Sequence, residues 1–393
     1  MCTGARLADV PASVSTPAAR SLPTPMPYVS LRSFLLLALL ALTGCAGARV
    51  DFTPEASSAR VEARDIAAGE GLFPVVEAGR WGYMDRRGEV VISPRFQFAT
   101  PFSEGLAAAK QGNLWGYLSP DGTWAIAPQF ASARGFSDGR GLVGVGGAKE
   151  RRFGFVDATG AFVVPTVLPY ALSYSEGLAL VRLADKQTLV QKLFSPRSTL
   201  VFLDRDGEVA VRVPASGISA ASFSGGLAPY EKSQGLFRST TWGYLDAQGR
   251  EVIAAELDGP AFRHTDGLAR VASGGEVGFV DRGGEFVIPP QYALAFSFSE
   301  GFAPVQVGGA WGFADASGAL AIAPRFQQAR GFSEGLAAVQ VGRQWGYIDA
   351  AGDLAIRATY TKAEPFARGL ARVYEGRLLR YIDASGAVVW AQD

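Results

Sequence analysis

Cysteine and histidine are nearly missing from this sequence: Cys2, Cys45 and His264 are all it has. A zinc site of Cys/His type cannot be assembled from so few ligands. A disulfide framework is excluded for the same reason. An excess of charge is missing too. Lysine plus arginine and aspartate plus glutamate both number 37. The overall balance therefore marks neither a nucleic acid nor an anionic membrane surface as a partner. What the chain has in quantity is glycine, 48 residues, and aromatics, 11%. Many turns combined with many aromatics suggest short strands rather than long helices.

Residues 34–42 form an apolar run, Phe-Leu-Leu-Leu-Ala-Leu-Leu-Ala-Leu, with Arg32 just ahead of it. The run has the length of a signal-peptide core and is too short to span a membrane as a mature helix. Leu42-Thr43-Gly44-Cys45 follows. This segment resembles the lipobox of bacterial lipoproteins. The resemblance implies a diacylated Cys45 as the mature first residue. Ala46 after it implies the outer membrane rather than inner-membrane retention. Two or more acyl chains anchor stably, whereas one is marginal. Residues 1–25 are expected to be a mis-assigned start or a disordered leader, with 26–45 the lipoprotein signal. Residues 46–69 read as a polar tether.

The rest of the chain repeats itself. Phe102-Ser103-Glu104-Gly105-Leu106-Ala107 recurs as Phe298-Ser299-Glu300-Gly301-Phe302-Ala303 and Phe332-Ser333-Glu334-Gly335-Leu336-Ala337. Looser copies start at Glu70, Phe136, Tyr174, Phe223, His264 and Phe366, about nine in all, and those from His264 onward are 34 residues apart. Trp-Gly follows at a fixed offset, with Trp81, Trp115, Trp242, Trp311 and Trp345. Five of the seven tryptophans lie in this dipeptide, so its position belongs to the repeat. These Trp-Gly dipeptides, the aromatic-x-Asp after them and the Ser-Glu-Gly-Leu segments resemble the WG-repeat family of bacterial β-repeat proteins. The resemblance covers residues 70–393 and implies no particular biochemical activity.

Within one copy, Leu336–Val341 and Trp345–Asp349 are β-prone, and Asp353–Ile356 begins a further strand. Asp349 and Gly352 between the last two suit a type I turn with a left-handed glycine bulge. The aspartate can cap the turn's amides, and glycine accepts a positive φ. The pair occurs eight times, also at Asp85/Gly88, Asp157/Gly160, Asp204/Gly207, Asp246/Gly249, Asp281/Gly284, Asp315/Gly318 and Asp383/Gly386. The last strand ends in Ile-x-Pro-x-aromatic, as in Ile92/Pro94/Phe96 and Ile322/Pro324/Phe326. These residues share a face, and the proline stops pairing. The expected fold is thus all-β: an array of about nine three-stranded meanders. Trp and Tyr pack between units, and the glycine between them admits a close neighbour. An open β-solenoid is favoured over a closed propeller-like ring. Propeller blades usually take four strands in longer units, and no unit here is visibly split between the termini.

Chemistry in the repeated residues is not expected. Serine as nucleophile, glutamate as acid and His264 as base would make an active site, but such a site is single and these residues recur. Ser and Glu are read instead as hydrogen-bonding the loop that enters the unit's first strand, and His264, in place of the phenylalanine that starts the repeat, as a variant core or rim residue. Asp204-Arg205-Asp206-Gly207 resembles the start of a calcium loop, but its twelfth position is Ala215 rather than a carboxylate. No cofactor, metal or catalytic residue is assigned, and the chain is not expected to be an enzyme.

Three middle copies are longer than the rest, at Val145–Arg152, Leu183–Thr199 and Tyr230–Thr241. These loops should emerge side by side on one edge of the array, where repeat proteins place recognition. They carry Lys149, Arg151, Arg152, Lys186, Lys192, Arg197, Lys232 and Arg238 against Glu150, Asp185 and Glu231, eight cations to three anions. The expected function is a lipid-anchored envelope scaffold that binds a protein or peptide, acidic in character, through these loops. Carbohydrate or cell-wall binding is the alternative. No nucleic acid is expected.

Overall fold

Each Asp-x-x-Gly segment closes a hairpin. In the first, Gly88 N–H donates to Asp85 O at 3.1 Å, and Asp85 Oδ1 accepts Arg87 N and Glu89 N at 2.9 and 3.0 Å. Gly88 sits at φ 85°. At Asp315 the Ser317 hydroxyl joins the amides, and this hydrogen bonding holds the carboxyl below its usual range.

The computed structural model describes residues 69–183, 200–235 and 239–393, and among these there is no helix. The signal, Cys45 and all but the last residue of the tether lie outside the described residues. Nine antiparallel sheets follow one another along the chain, each pairing its strands in sequence order. Eight have four strands; the first has three among the described residues, Phe73–Glu77, Arg80–Met84 and Val90–Phe96. The eighth shows the full pattern: Gln328–Ser333, Leu336–Val341, Gln344–Ile348 and Leu354–Tyr360. Below, the sheets are blades 1 to 9, and the strands of a four-stranded blade are its first to fourth.

The three-stranded meander is therefore corrected to a four-stranded blade. The added strand precedes the Ser-Glu-Gly turn. In blade 2 it is only Phe98–Ala99, and in blade 9 only Lys362–Ala363. Two residues are too few for an alternating pattern to register in the sequence.

The Trp-Gly glycine has a specific role. Between the third and fourth strands of blade 2 the register runs Trp115↔Phe130 and Tyr117↔Ile126, so Gly116 faces the bulged segment Ala127–Gln129. A Cβ on Gly116 would lie 2.4 Å from Ile126 O. Gly82, Gly243, Gly278, Gly312 and Gly346 meet the same obstacle within 2.3–2.6 Å. The close neighbour is thus the blade's own last strand, where proline sits at the bulge opposite Gly82, Gly116, Gly278 and Gly312, and alanine opposite Gly243 and Gly346.

Blades pack face to face through aromatics. The third-strand ring of one blade meets edge-on the ring that opens the Ser-Glu-Gly segment of the next: Tyr117 with Phe136, Phe155 with Tyr174, Phe279 with Phe298, each at 4.8 Å. Such pairs contribute about 0.5–1.5 kcal/mol beyond the area they bury. The buried third-strand phenols find partners across the same junction. Tyr117 Oη donates to Arg134 O at 2.8 Å and Tyr347 Oη to Glu364 O at 2.7 Å. The tryptophans contribute less to the core than expected. Trp311 is buried, whereas Trp81, Trp115, Trp242 and Trp345 are half-buried at its edge. Tyrosine and phenylalanine two residues on are the fully buried rings.

The array closes. Leu370, Leu379, Tyr381 and Trp390 of blade 9 form one apolar cluster with Phe73, Val75 and Met84 of blade 1. Tyr381 Oη donates to Pro74 O at 2.8 Å; at other junctions the tyrosine reaches instead the segment before the Ser-Glu-Gly turn, as Tyr117 does at Arg134 O. The fold is a nine-bladed β-propeller, which corrects the favoured open solenoid. A 34-residue unit holds four strands because its turns are short: in blade 8 two residues each, Glu334-Gly335 and Gly342-Arg343, join the first three strands. The seam is sealed by side-chain packing, and among the described residues no sheet is divided between the ends.

Candidate functional site

Two rims of the propeller are built from different connections. One carries the hairpins between second and third strands. The other carries the turns between first and second strands and the Asp-x-x-Gly turns.

On the hairpin rim, six blades use two-residue loops: Ala78-Gly79, Gly112-Asn113, Gly274-Gly275, Gly308-Gly309, Gly342-Arg343 and Gly376-Arg377. Each has positive φ at its first residue, which matches the twist of the flanking strands. Blades 3, 4 and 5 depart together. Their connectors are 146–151, 183–199 and 234–239. The three are on consecutive blades and the same rim, as the repeat register required.

Of the eight cations expected there, Lys186, Lys192, Arg197 and Arg238 lie outside the described residues. Lys149 and Arg152 are exposed on blade 3. Arg151 is half-buried, its stem against Gly144, where an added Cβ would lie 3.0 Å from Arg151 Cδ. Lys232 is within the second strand of blade 5, Leu227–Ser233, with Nζ 3.7 Å from Glu251 Oε1. The blade 5 strands thus extend further than the sequence suggests and absorb part of the insertion.

The same rim holds an aromatic row that the sequence reading missed. Phe98, 43% exposed, lies between the half-buried Trp81 and Trp115 at ring distances of 5.2 and 5.6 Å. Its signal was an aromatic at the start of the short first strand, which the reading had not identified as a strand.

On the opposite rim, Ser-Glu-Gly works between blades rather than within a loop. Ser103 Oγ donates to Phe136 O of the next blade at 2.8 Å, and Ser137, Ser175, Ser224, Ser299 and Ser333 make the equivalent bond. The Glu104 carboxylate accepts Asp138 N and Gly139 N, both at 2.8 Å. Glu176, Glu300 and Glu334 grip the next turn in the same way, each through two amides. Asp138 and Asp266, one carbon shorter, reach one amide each, on Gly177 and Gly301. These acids sit at φ 50–55°, a left-handed conformation that non-glycine residues adopt at a cost of about 1–2 kcal/mol. At the seam Arg368 takes the acid's place and donates instead to Glu70 O and Phe102 O, at 3.3 and 3.1 Å. His264 occupies the aromatic position of blade 6, edge-on to Tyr244 at 4.9 Å. It is buried, with Nε2 3.2 Å from Asp281 O, and burial lowers its pKa.

Models of the WG containing repeat match residues 81–115, 115–147, 153–186, 242–276, 278–309, 311–343 and 345–377, more than half of the chain. The chain belongs to the WG-repeat family. Five of the seven matches start at the tryptophan of one blade and the other two at Phe153 and Gly278 in the equivalent strand, and all continue into the next blade, so the family's repeat spans a junction rather than a blade. No curated protein matches the sequence. Among solved structures, the WG-repeat propeller is similar to a eukaryotic initiation factor, at 12% identity and TM-score 0.56, over 82% of this chain and 96% of that one. At that identity the likeness concerns the fold alone. Hsv2 of Kluyveromyces lactis aligns at 8% identity over 73% of this chain and 93% of that one, with TM-score 0.36.

Proposed function

We propose that this WG-repeat propeller is a binding scaffold of the bacterial envelope, anchored through a lipid on Cys45 in the outer membrane. It captures a protein or peptide partner on the hairpin rim of blades 3 to 5. The observation that carries this reading is the clustering of the three long connectors on consecutive blades, where six others keep two-residue hairpins. Their cations favour an acidic partner surface, and a rim contact of that kind weakens with salt. No catalytic role is assigned to the repeated residues.

The test replaces 146–151, 183–199 and 234–239 by Gly-Gly, as at Gly308-Gly309, in the mature domain. Expected is loss of partner capture from envelope extracts with the melting temperature retained; unchanged capture overturns the reading. Metabolic labelling with palmitate, present in the natural sequence and absent in Cys45→Ser, tests the anchor. The row Trp81, Phe98 and Trp115 favours a second reading, stacking on a sugar. Loss of glycan retention in Trp81→Ala/Trp115→Ala, with the shortened-loop variant unaffected, would select it.

A further inference from the structure

The carboxylates between blades supply an internal standard for one junction that lacks one. At the junction of blades 3 and 4 the Asp138 carboxylate lies between two donors of blade 4. Gly177 N donates at 2.8 Å and Arg205 Nη2 at 3.2 Å. Gly177 belongs to the turn between first and second strands, and Arg205 follows Asp204 in the turn between third and fourth. Blade 6 repeats both donors. Asp266-Gly267 forms its first turn, and Arg282 follows Asp281 in its second. Blade 5 should supply the acid, but its turn reads Ser224-Gly225-Gly226, with Gly225 where Glu176 and Glu300 stand in blades 4 and 7.

The donors are left without their acceptor. Among the described residues, Asp266 N, Gly267 N and the Arg282 guanidinium have no hydrogen-bond or ion-pair partner. Asp266 is at φ 50° and Gly267 at φ 82°, so the two amides form the same concavity that grips Glu300 at Glu334 and Gly335. The Asp266 carboxylate is engaged elsewhere, on Gly301 N of blade 7. A cleft of about 380 Å³ opens here, lined by Gly225, His264, Thr265, Asp266, Gly267 and Arg282 among others. Arg282 Nη2 is at its edge, 2.8 Å from where a Cβ on Gly226 would be. His264 is 2% exposed, and its Nδ1, like Thr265 Oγ1, is buried with no partner. These two buried polar atoms are costly to leave unpaired, and the exposed Arg282 guanidinium is free to form a charge-assisted bond.

We propose that the junction of blades 5 and 6 is a receptor site for a ligand carboxylate, which takes the place of the missing acid on the amides of Asp266 and Gly267 and pairs with Arg282. The carboxylate belongs either to a free small acid or to a glutamate side chain of a peptide; the chemistry recognised is the same. The site is on the rim opposite the long connectors and stands independently of their role.

The test is a titration of the deuterated, ¹⁵N-labelled repeat domain with propionate, followed by amide resonances, with chloride at matched ionic strength as reference. The Asp266 and Gly267 amides are expected to shift and saturate in the millimolar range, as suits a ligand of few atoms. Glu334 and Gly335, already held by Glu300, serve as the silent control. Gly225→Glu is expected to abolish the response and to shift the two amides before any ligand is added. Four blades already hold glutamate in this turn at φ 53–55°. Arg282→Ala, which leaves the turn untouched, is expected to weaken propionate about tenfold. A capped Ala-Glu-Ala peptide binding more tightly than propionate assigns the site to peptides; equal affinities assign it to small acids. No saturable shift at Asp266 and Gly267, an equal shift with chloride, or an unchanged response in both variants overturns the proposal.

Discussion

The two rims of this propeller obey different rules. On the rim of Ser-Glu-Gly turns, length is held fixed: the acid of blades 2, 3, 4, 6, 7 and 8 sits at positive φ and is aimed at the amides of the next blade. On the hairpin rim no carboxylate grips the amides of the next blade in this way among the described residues, and connectors range from Gly308-Gly309 to 183–199. A turn that must reach its neighbour cannot change length without losing up to two charge-assisted bonds and the serine's hydrogen bond. A hairpin that reaches only water can, since loop closure grows slowly with length. One rim is thus closed to variation because it holds the ring together. The other is free to acquire a binding surface.

Matched insertions give the largest expected contrast. One alanine inserted after Glu334 displaces the Glu334 carboxylate from Arg368 N and Gly369 N and the Ser333 hydroxyl from Phe366 O. Two glycines inserted between Gly147 and Lys149 displace nothing of the kind. Urea unfolding should show a loss of roughly 3–5 kcal/mol for the first, from bonds to a charged group, and within about 0.5 kcal/mol for the second. Equal losses would mean that the rims do not differ. A smaller effect of the same sign is expected from Glu334→Ala, about 1–3 kcal/mol, against almost none for Glu150→Ala in the blade 3 connector. Sodium chloride at high concentration should reduce the Glu334 effect only in part, because the acid is bonded to amides rather than to another surface charge.

How much of this was legible in the sequence follows from the range of each signal. The Asp349-x-x-Gly352 turn was, because cap and left-handed glycine are consecutive in the chain and act on each other. So was the common edge of the three long connectors, which needs only that every unit repeats the same order of strands. Phe98–Ala99 was not, because two residues carry no periodicity, and without that strand a 34-residue unit looked too short for a blade. Ring closure was not, because the bond from Tyr381 to Pro74 spans the whole array. Ser103 and Glu104 were correctly read as structural but were given local partners, when their partners are about one repeat away. The difference matters, since only a partner in the next blade makes Gly225 an absence. Lys232 was counted with the basic loops, but the longer strands of blade 5 bring it beside Glu251.

The finest test of the contrast is at His264, where the closed rim has tolerated a change. The repeat places phenylalanine there, and His264 keeps the packing on Tyr244 and the carbonyl that accepts Ser224 Oγ. What it adds is a titrating group. Desolvation by burial lowers its pKa in the folded protein below the ordinary histidine value, the hydrogen bond to Asp281 O opposing this only in part. The unfolded chain therefore takes up the proton first as pH falls. The stability that follows from a neutral, buried imidazole is fully present above about pH 6.5 and is lost progressively as pH falls from there toward the folded-state value. His264 is the one histidine in the chain, so no other imidazole contributes in this window. His264→Phe should flatten the dependence of the urea midpoint on pH between about 5 and 7, and melt no lower than the natural protein at pH 8. A slope that survives the substitution would assign it to the carboxylates between blades, and make acid sensitivity a property of the whole rim rather than of its altered junction.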